Sequence, residues 1–259
     1  MLLLLDPARR VVIGHRGNRA HAPEDTLESF AQAVALGVDA IELDVHLTRD
    51  GVPVVIHDPS LERTTDGHGV VAELTMAEIG RVDAGARFTK DGGRSFPYRG
   101  KGIRVPTLDE TLDALRGLPL IIELKVAAAA QPVLSLLERR GDTGRVLLGS
   151  FLQAALDPFR RAGLPTGASV EALKPLFVPA LFGARPASLP FDAMIIPPRH
   201  GLLPLPVAQF ARMVHARGGP AHVWTVNDPA AALAFWAKGV NGLISDDPAT
   251  ILSARRGAA

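Results

Sequence analysis

Two carboxylates, Glu42 and Asp44, interrupt the apolar segment 38–45. The Val, Ile and Leu residues of this segment predict a short strand, and residues two apart on a strand point to the same face. Negative charges placed side by side in a buried strand raise each other's pKa, unless a cation or hydrogen-bond donors lie between them. We therefore expect the pair either to hold a cation or to form salt bridges with Arg16 or Lys125.

A second apolar segment, 120–125, repeats this arrangement with Glu123 and Lys125 two residues apart. Together with Glu42 and Asp44, Glu123 would complete an all-oxygen site for a hard divalent cation, Mg²⁺ or Ca²⁺. The chain contains no cysteine, so zinc is a weaker interpretation. The sequence thus predicts a metal site made of three carboxylates.

Two histidines, His15 and His57, each follow a short apolar run. The pKa of a histidine lies near neutrality, which suits a general acid or a general base. Arg16 and Lys125 are cations that could hold an anionic substrate on the metal. A metal, two histidines and flanking cations together indicate phosphoryl chemistry. Lys125 could instead form a Schiff base, but the neighbouring carboxylates argue against that chemistry.

The elements that would position these residues alternate as strands and helices. Eight strands are predicted, at residues 11–13, 39–45, 120–125, 146–150, 166–169, 193–196, 221–226 and 242–245. This count indicates an α/β fold, the (β/α)8 TIM barrel, whose active site lies at the C-terminal ends of the strands. A doubly wound sheet is the competing interpretation, but no Gly-rich dinucleotide loop follows the first strand. In a barrel, Trp224 either packs in the core or lies at the mouth, where it could stack on an ammonium group of a substrate.

The pattern weakens after the second strand, and residues 59–105 are predicted to form a small insertion. Helices on either side of this region are expected to begin with capping boxes. The first box would pair Asp25 as the N-cap with Glu28, and the second would pair Thr107 with Glu110.

Composition predicts one domain, residues 1–259, with 47% hydrophobic residues to build its core. The net charge of +1 gives no argument for nucleic acid or for an anionic membrane. No apolar run approaches the ~18–20 residues of a membrane span, and Leu2–Leu5 is too short for a signal sequence. We expect a cytoplasmic protein with a small-molecule substrate, without nucleic acid and without stable membrane insertion.

Ten short motifs stand in order along nearly the whole chain. They are Gly14–Gly17, Pro23–Thr26, Ile41–Val45, Val54–Asp58, Leu61–Gly67, Val105–Leu108, Ile122–Lys125, Ser150–Phe151, Trp224–Asn227 and Ile244–Pro248. In this order they resemble the glycerophosphodiester phosphodiesterase family. The chain departs from the family at Asp25, Asn241 and Ser245, where Asn, Asp and Thr are usual.

The resemblance implies a TIM barrel with an insertion after strand 2. It also implies hydrolysis of glycerophosphodiesters to glycerol 3-phosphate and an alcohol such as choline or ethanolamine. The residues expected to act are Glu42, Asp44 and Glu123 on a divalent metal, His15 and His57 in catalysis, and Arg16 and Lys125 on the phosphate.

The mechanistic hypothesis is attack on phosphorus by the glycerol hydroxyl beside the phosphate. The metal would activate that hydroxyl, His15 would remove its proton, and His57 would protonate the leaving alcohol. A cyclic phosphate would result, and water would open it. Two alternatives stay open: a metal-independent phospholipase-type phosphodiesterase, which shares the histidine pair, and an inactive barrel that only binds phosphodiesters.

Overall fold

The computed structural model describes residues 2–257, which form ten strands and ten α-helices joined by loops and short 3-10 turns. The strands are β1 Val11–His15, β2 Ala40–Leu47, β3 Pro53–Val55, β4 Leu120–Leu124, β5 Val146–Gly149, β6 Met194–Ile196, β7 Arg199–His200, β8 Leu203–Pro204, β9 Ala221–Trp224 and β10 Gly242–Ser245. The helices are α1 Leu27–Leu36, α2 Met76–Ile79, α3 Leu108–Ala114, α4 Ala130–Arg140, α5 Gln153–Arg161, α6 Val170–Leu173, α7 Phe177–Leu181, α8 Val207–His215, α9 Pro229–Ala237 and α10 Pro248–Gly257.

Seven strands form a parallel sheet in the order β5-β4-β2-β1-β10-β9-β6. Two parallel bridges, Leu148 with Thr166 and Gly167 with Ala193, span the gap between β5 and β6. Residues 166–167 therefore occupy the eighth position and complete the ring. The predicted (β/α)8 barrel is confirmed, and β3 lies outside the ring, paired antiparallel with β2.

Side chains of the barrel strands alternate between two apolar cores. On β1, Val12 packs into the large core between the strands and the helices. Val11 and Ile13 point the other way, into a smaller cluster inside the barrel against which Leu4 packs. This alternation follows from the two-residue period of a strand, and the inner cluster fills the N-terminal end of the barrel.

The same alternation directs the two carboxylates of β2 inward. Ile41 and Leu43 pack into the outer core, and Ala40 packs into the inner cluster. Glu42 and Asp44 lie on the same side of the strand as Ala40, so they continue the inner face toward the C-terminal end. The apolar inner cluster therefore ends where the charged residues begin.

One of the two predicted helix caps is confirmed and the other is wrong. Thr107 and Glu110 form the expected capping box at α3. At α1 the N-cap is Thr26, whose side chain accepts a hydrogen bond from the backbone N–H of Ser29. Asp25 instead adopts a left-handed φ of 56° and accepts from the backbone N–H of Asp44 at 3.4 Å. Asp25 does not cap the helix, because its side chain accepts a hydrogen bond from the backbone of β2 instead.

The segment between β3 and α3 packs around a small apolar cluster of its own, which includes Leu61, Ile79 and Val105. It rests against the barrel beside the first loop, where the Tyr98 hydroxyl donates to the His21 carbonyl at 3.0 Å. That residues 59–105 are an insertion within a single domain stays a prediction. Across residues 2–257, no helix is both long enough and apolar enough to cross a bilayer.

Candidate active site

The residues predicted to act meet in one cavity at the C-terminal mouth of the barrel. Seven of the eight line it directly: His15, Arg16, Glu42, His57, Glu123, Lys125 and Trp224. The eighth, Asp44, is 1% exposed and lies beneath the others. The cavity is also lined by Ser150 and Phe151, which follow β5.

The three carboxylates form a compact cluster. The β2–β4 register places Asp44 beside Glu123, and one oxygen from each of Glu42, Asp44 and Glu123 lies within 4.8 Å of the others. Burial, together with the charges of the two neighbouring carboxylates, raises the pKa of Glu42 well above its usual value. Burial likewise raises the pKa of Glu123. At both groups, burial and the neighbouring carboxylates thus outweigh the nearby cations Arg16 and Lys125.

Two cations contact the centre of this cluster. Lys125 Nζ lies 2.8 Å from Asp44 Oδ1 and 2.6 Å from Glu123 Oε1. Arg16 Nε lies 2.8 Å from Asp44 Oδ2, although its angle is poor for a hydrogen bond. Burial opposes ionisation of Asp44, but the two cations outweigh it and lower the pKa of that carboxyl. Asp44 therefore makes the salt bridges that were the alternative to a metal site, whereas Glu42 has no cation this close among the described residues.

Counting the buried charges tests whether a divalent cation fits. Asp25 lies next to Asp44, and burial raises its pKa well above the usual value. Within residues 2–257, this core thus holds four carboxylates, the three of the cluster and Asp25, against two cations, Arg16 and Lys125. When all four carboxyl groups are ionised, they exceed the two cations by two negative charges. This excess and the all-oxygen donor set both match Mg²⁺ or Ca²⁺. The cluster can therefore hold such an ion.

Each histidine is oriented by an aspartate. His15 Nδ1 lies 2.6 Å from Asp246 Oδ1, and His57 Nδ1 lies 2.6 Å from Asp58 Oδ1. These contacts fix the rings and leave each Nε2 to react, as in other histidine–carboxylate pairs. The Nε2 atom of His15 lies 3.8 Å from Glu42 Oε2. Burial lowers the pKa of His57, although Asp44 and Asp58 oppose that shift.

Sequence analysis missed the two orienting aspartates. Asp246 follows β10, which pairs with β1 in the ring. The strand order could have predicted its contact with His15, because the first and last strands of a closed barrel are neighbours. Asp58 follows His57 directly in sequence, but adjacent residues do not generally face each other, so no pattern marked this contact.

Trp224, at the end of β9, and Phe151, just after β5, form an aromatic wall of the mouth. Their ring centroids are 6.0 Å apart, with the planes at 73°. Trp224 is partly buried and packs against the inner cluster, and it also lines the cavity. Trp224 thus packs in the core and also lies at the mouth. That it stacks on the ammonium group of a substrate stays a prediction.

Comparison with known proteins agrees with this geometry. A model of the glycerophosphoryl diester phosphodiesterase family matches residues 15–145. The chain is 30% identical to a glycerophosphodiester phosphodiesterase of Bacillus subtilis, over 98% of this chain and 89% of that protein. It is 29% identical to one of Caldanaerobacter subterraneus, over 95% of this chain and 97% of that protein.

Solved structures share the whole fold. A phosphodiesterase of Oleispira antarctica, solved in complex with the product sn-glycerol-3-phosphate, has a TM-score of 0.78 at 27% identity, over 96% of this chain and 97% of that chain. The barrel, the site and these relatives together define a phosphoric diester hydrolase. The chain belongs to the glycerophosphoryl diester phosphodiesterase family.

Proposed function

We propose that the protein hydrolyses glycerophosphodiesters, such as glycerophosphocholine and glycerophosphoethanolamine, to glycerol 3-phosphate and an alcohol. The observation that carries this proposal is the placement of two aspartate-oriented histidines beside a carboxylate cluster and two cations in one cavity. The product bound by the Oleispira antarctica relative supports glycerol 3-phosphate as the product here.

The charged residues have two roles, in binding the metal and in binding the phosphate. Glu42, Asp44 and Glu123 would hold Mg²⁺ or Ca²⁺, which when bound supplies Lewis acidity for the phosphate and lowers the pKa of the attacking hydroxyl. Arg16 and Lys125 bind the phosphate oxygens and balance their negative charge. Both cations keep their charge through the pH range of the reaction, because the surrounding carboxylates outweigh burial and raise their pKa values.

The two histidines move the protons. His15 accepts the proton of the glycerol hydroxyl beside the phosphate, because its Nε2 lies close to the carboxylate cluster where that hydroxyl would be held. His57 lines the same cavity and donates a proton to the leaving alcohol. The negative charge of the bound phosphate favours protonated His57 in the complex. The hydroxyl's attack gives a cyclic phosphate, and water opens the ring with the two roles exchanged.

The test is release of glycerol 3-phosphate from glycerophosphocholine by the purified protein, with and without EDTA. We expect EDTA to abolish release and added Mg²⁺ or Ca²⁺ to restore it. Release that chelation does not affect would favour the metal-independent phospholipase-type phosphodiesterase, in which Lys125 and Arg16 alone neutralise Asp44. No release from any head group, with either ion or with Mn²⁺, would favour the inactive binding barrel.

Two further predictions come from composition alone. A cytoplasmic location and the lack of a nucleic-acid partner follow from the absence of an apolar span and from the near-zero net charge. They stay predictions.

A further inference from the structure

Arg63, in the turn that follows β3, contacts two carboxylates from different parts of the site. Its Nη1 and Nη2 atoms lie 2.9 and 2.6 Å from the two carboxylate oxygens of Glu24. Its Nε and Nη2 atoms lie 2.5 and 3.1 Å from the two carboxylate oxygens of Asp58. A guanidinium holds its donors in a planar fork, so one side chain can bind two carboxylates with two hydrogen bonds each.

Asp58 is the carboxylate that orients His57, and Arg63 holds Asp58 in place. Across residues 2–257, the side chain of Asp58 has hydrogen bonds to these two residues alone. The hydrogen bond from Arg63 lowers the pKa of Asp58. Asp58 therefore stays ionised and accepts from Nδ1 of His57, which leaves Nε2 to exchange the reacting proton.

The two catalytic histidines differ in how much packing holds them. The His15 side chain is 8% exposed, whereas the His57 side chain is 34% exposed. Asp246, the partner of His15, also accepts from the side-chain amide of Asn227 at 3.0 Å. Because packing restrains His57 less, its orientation depends more on its polar contacts, which lead through Asp58 to Arg63.

The other carboxylate that Arg63 binds connects it to the phosphate-binding side of the site. Arg16 Nη1 lies 2.6 Å from Glu24 Oε1, the same oxygen that Arg63 Nη2 contacts. Burial raises the pKa of Glu24, but the hydrogen bonds and charges of the neighbouring arginines outweigh it and lower that pKa. An ionised Glu24 thus joins the two arginines. The result is a continuous chain of charged contacts: Arg16, Glu24, Arg63, Asp58 and His57.

The backbone that carries Arg63 is well fixed, although its side chain is 44% exposed. Leu61 is 1% exposed and packs into the small apolar cluster of this segment. The Thr65 hydroxyl donates to the Leu61 carbonyl at 2.8 Å, and Arg87 Nε donates to the Thr65 carbonyl at 2.7 Å. Arg63 therefore projects from a turn that is held on both sides.

We propose that Arg63 is a positioning residue for proton transfer to the leaving alcohol. Through Asp58 it holds the His57 ring in the orientation in which Nε2 donates, and through Glu24 it keeps that ring in register with the phosphate-binding Arg16. Arg63 is not among the residues that line the catalytic cavity, so it acts through His57 and not on the substrate. The inference rests on the proposed function, in which His57 is the acid.

The leaving group tests this role. The measurement is kcat and KM of metal-loaded Arg63→Ala on glycerophosphocholine and on glycerophospho-p-nitrophenol, because p-nitrophenolate leaves without a proton. We expect kcat on glycerophosphocholine to fall by about 10- to 100-fold, a part of the roughly 10²–10⁴-fold that a general acid contributes. The kcat on glycerophospho-p-nitrophenol and both KM values should stay nearly unchanged. Arg63→Lys keeps the charge but loses the fork, so it should show the same selective loss to a smaller extent.

Arg19→Ala is the matched control. Arg19 Nε lies 3.1 Å from Glu24 Oε2, but Arg19 makes no salt bridge to Asp58 within the described part of the chain. Arg19 also lies 3.4 Å from Asp246, the partner of His15. Any loss in Arg19→Ala should therefore be equal on the two substrates. A general disturbance of Glu24 or of folding would likewise lower both substrates together, so the ratio of the two kcat values isolates the orientation of His57.

Double variants test whether Arg63 acts through His57. Two changes that act through one group are not additive. Arg63→Ala should therefore cause no further loss of kcat on glycerophosphocholine in a His57→Ala background. In a His15→Ala background it should keep its full effect, because the leaving alcohol still takes its proton from His57.

The outcomes separate this inference from the proposed function. If His57→Ala depends on the leaving group but Arg63→Ala lowers both substrates equally, the role of Arg63 is overturned alone. A full additional loss in the His57→Ala background also overturns it alone. An equal loss of His57→Ala on both substrates overturns His57 as the acid, and the inference with it. Failure of the wild-type enzyme to cleave either substrate overturns the proposed function itself.

Discussion

At the scale of single residues, the site consists of two similar histidine–aspartate pairs with different surroundings. His15 is 6% exposed and lies against Glu42. The His57 side chain is 34% exposed and pairs with Asp58, which also binds Arg63. Sequence alone predicted both as catalytic, because each histidine follows a short apolar run, but it separated their roles only weakly. The difference lies in what each Nε2 faces, and that depends on the folded ring.

The leaving group distinguishes the two histidines. His57→Ala should lower kcat on glycerophosphocholine by roughly 10²–10⁴-fold, because choline leaves as a poor alkoxide without a proton. The loss should be far smaller on glycerophospho-p-nitrophenol, whose leaving group needs no proton. His15→Ala should lower kcat on both substrates, because both still need the hydroxyl to be deprotonated.

The measurement is kcat for both variants on both substrates. His68→Ala is the control, because the His68 side chain is 76% exposed and does not line the mouth cavity. An equal loss on the two substrates for His57→Ala would show that His57 is not the acid.

At the scale of elements, strand periodicity predicted the direction of the catalytic side chains well. The apolar residues around Glu42 and Asp44 indicated a buried strand, and the barrel confirms that both carboxylates point inward. The cap of α1 was harder to predict, because Asp25 and Thr26 are both good cap residues and stand side by side. The choice depends on the backbone of β2, which is distant in sequence and takes Asp25 as an acceptor.

The α1 cap gives a prediction for stability. Thr26 Oγ1 accepts from the Ser29 N–H at 3.2 Å and donates to the Pro23 carbonyl at 2.6 Å. Thr26→Ala should therefore lower the free energy of unfolding by about 1–2 kcal/mol. Thr26→Ser keeps the hydroxyl and should cost clearly less. Urea unfolding of both variants is the measurement. An unchanged stability for Thr26→Ala would contradict Thr26 as the N-cap and favour Asp25 in that position.

At the scale of the whole molecule, the sequence predicted all eight barrel positions, including the short one at 166–169. It could not predict the apolar groove that lies beside the catalytic cavity and is lined by residues of α6, α7 and β8, because residues 170–205 carry several prolines and no clear period. Their side chains acquire a common surface only when α6, α7 and the β7–β8 hairpin pack together. The number of carboxylates at the mouth was equally hard to predict, since Asp25 contacts the backbone of Asp44 only through the folded loop between β1 and α1.

The carboxylates at the mouth make stability depend on pH and on metal. The folded pKa values of Glu42 and Asp25 lie above their usual values of 4.5 and 3.8. The metal-free folded protein therefore binds more protons than the unfolded chain, and these two groups lose their stabilising effect as pH rises through the folded pKa values. Asp44 has a lowered pKa and stays ionised over this range.

A divalent ion should relieve this loss. At one fixed concentration of Mg²⁺ or Ca²⁺, the gain in free energy of unfolding should be at least about 1 kcal/mol larger near pH 8 than near pH 5, because protons compete for the ligand oxygens. Thermal unfolding with and without the ion measures the gain. Glu42→Gln should reduce the pH dependence, and a gain equal at both pH values would contradict a metal at this cluster.

The apolar filling of the barrel, with Leu4 packed against Val11 and Ile13, occupies its N-terminal end, and the site residues line the cavity at the C-terminal mouth. Substrate, water and both products would pass through this mouth. In the proposed mechanism, the alcohol leaves beside the half-exposed His57 and would depart first, whereas the phosphate would stay held by Arg16 and Lys125. Accumulating glycerol 3-phosphate would therefore compete with new substrate for the cavity, and turnover would slow as product builds up.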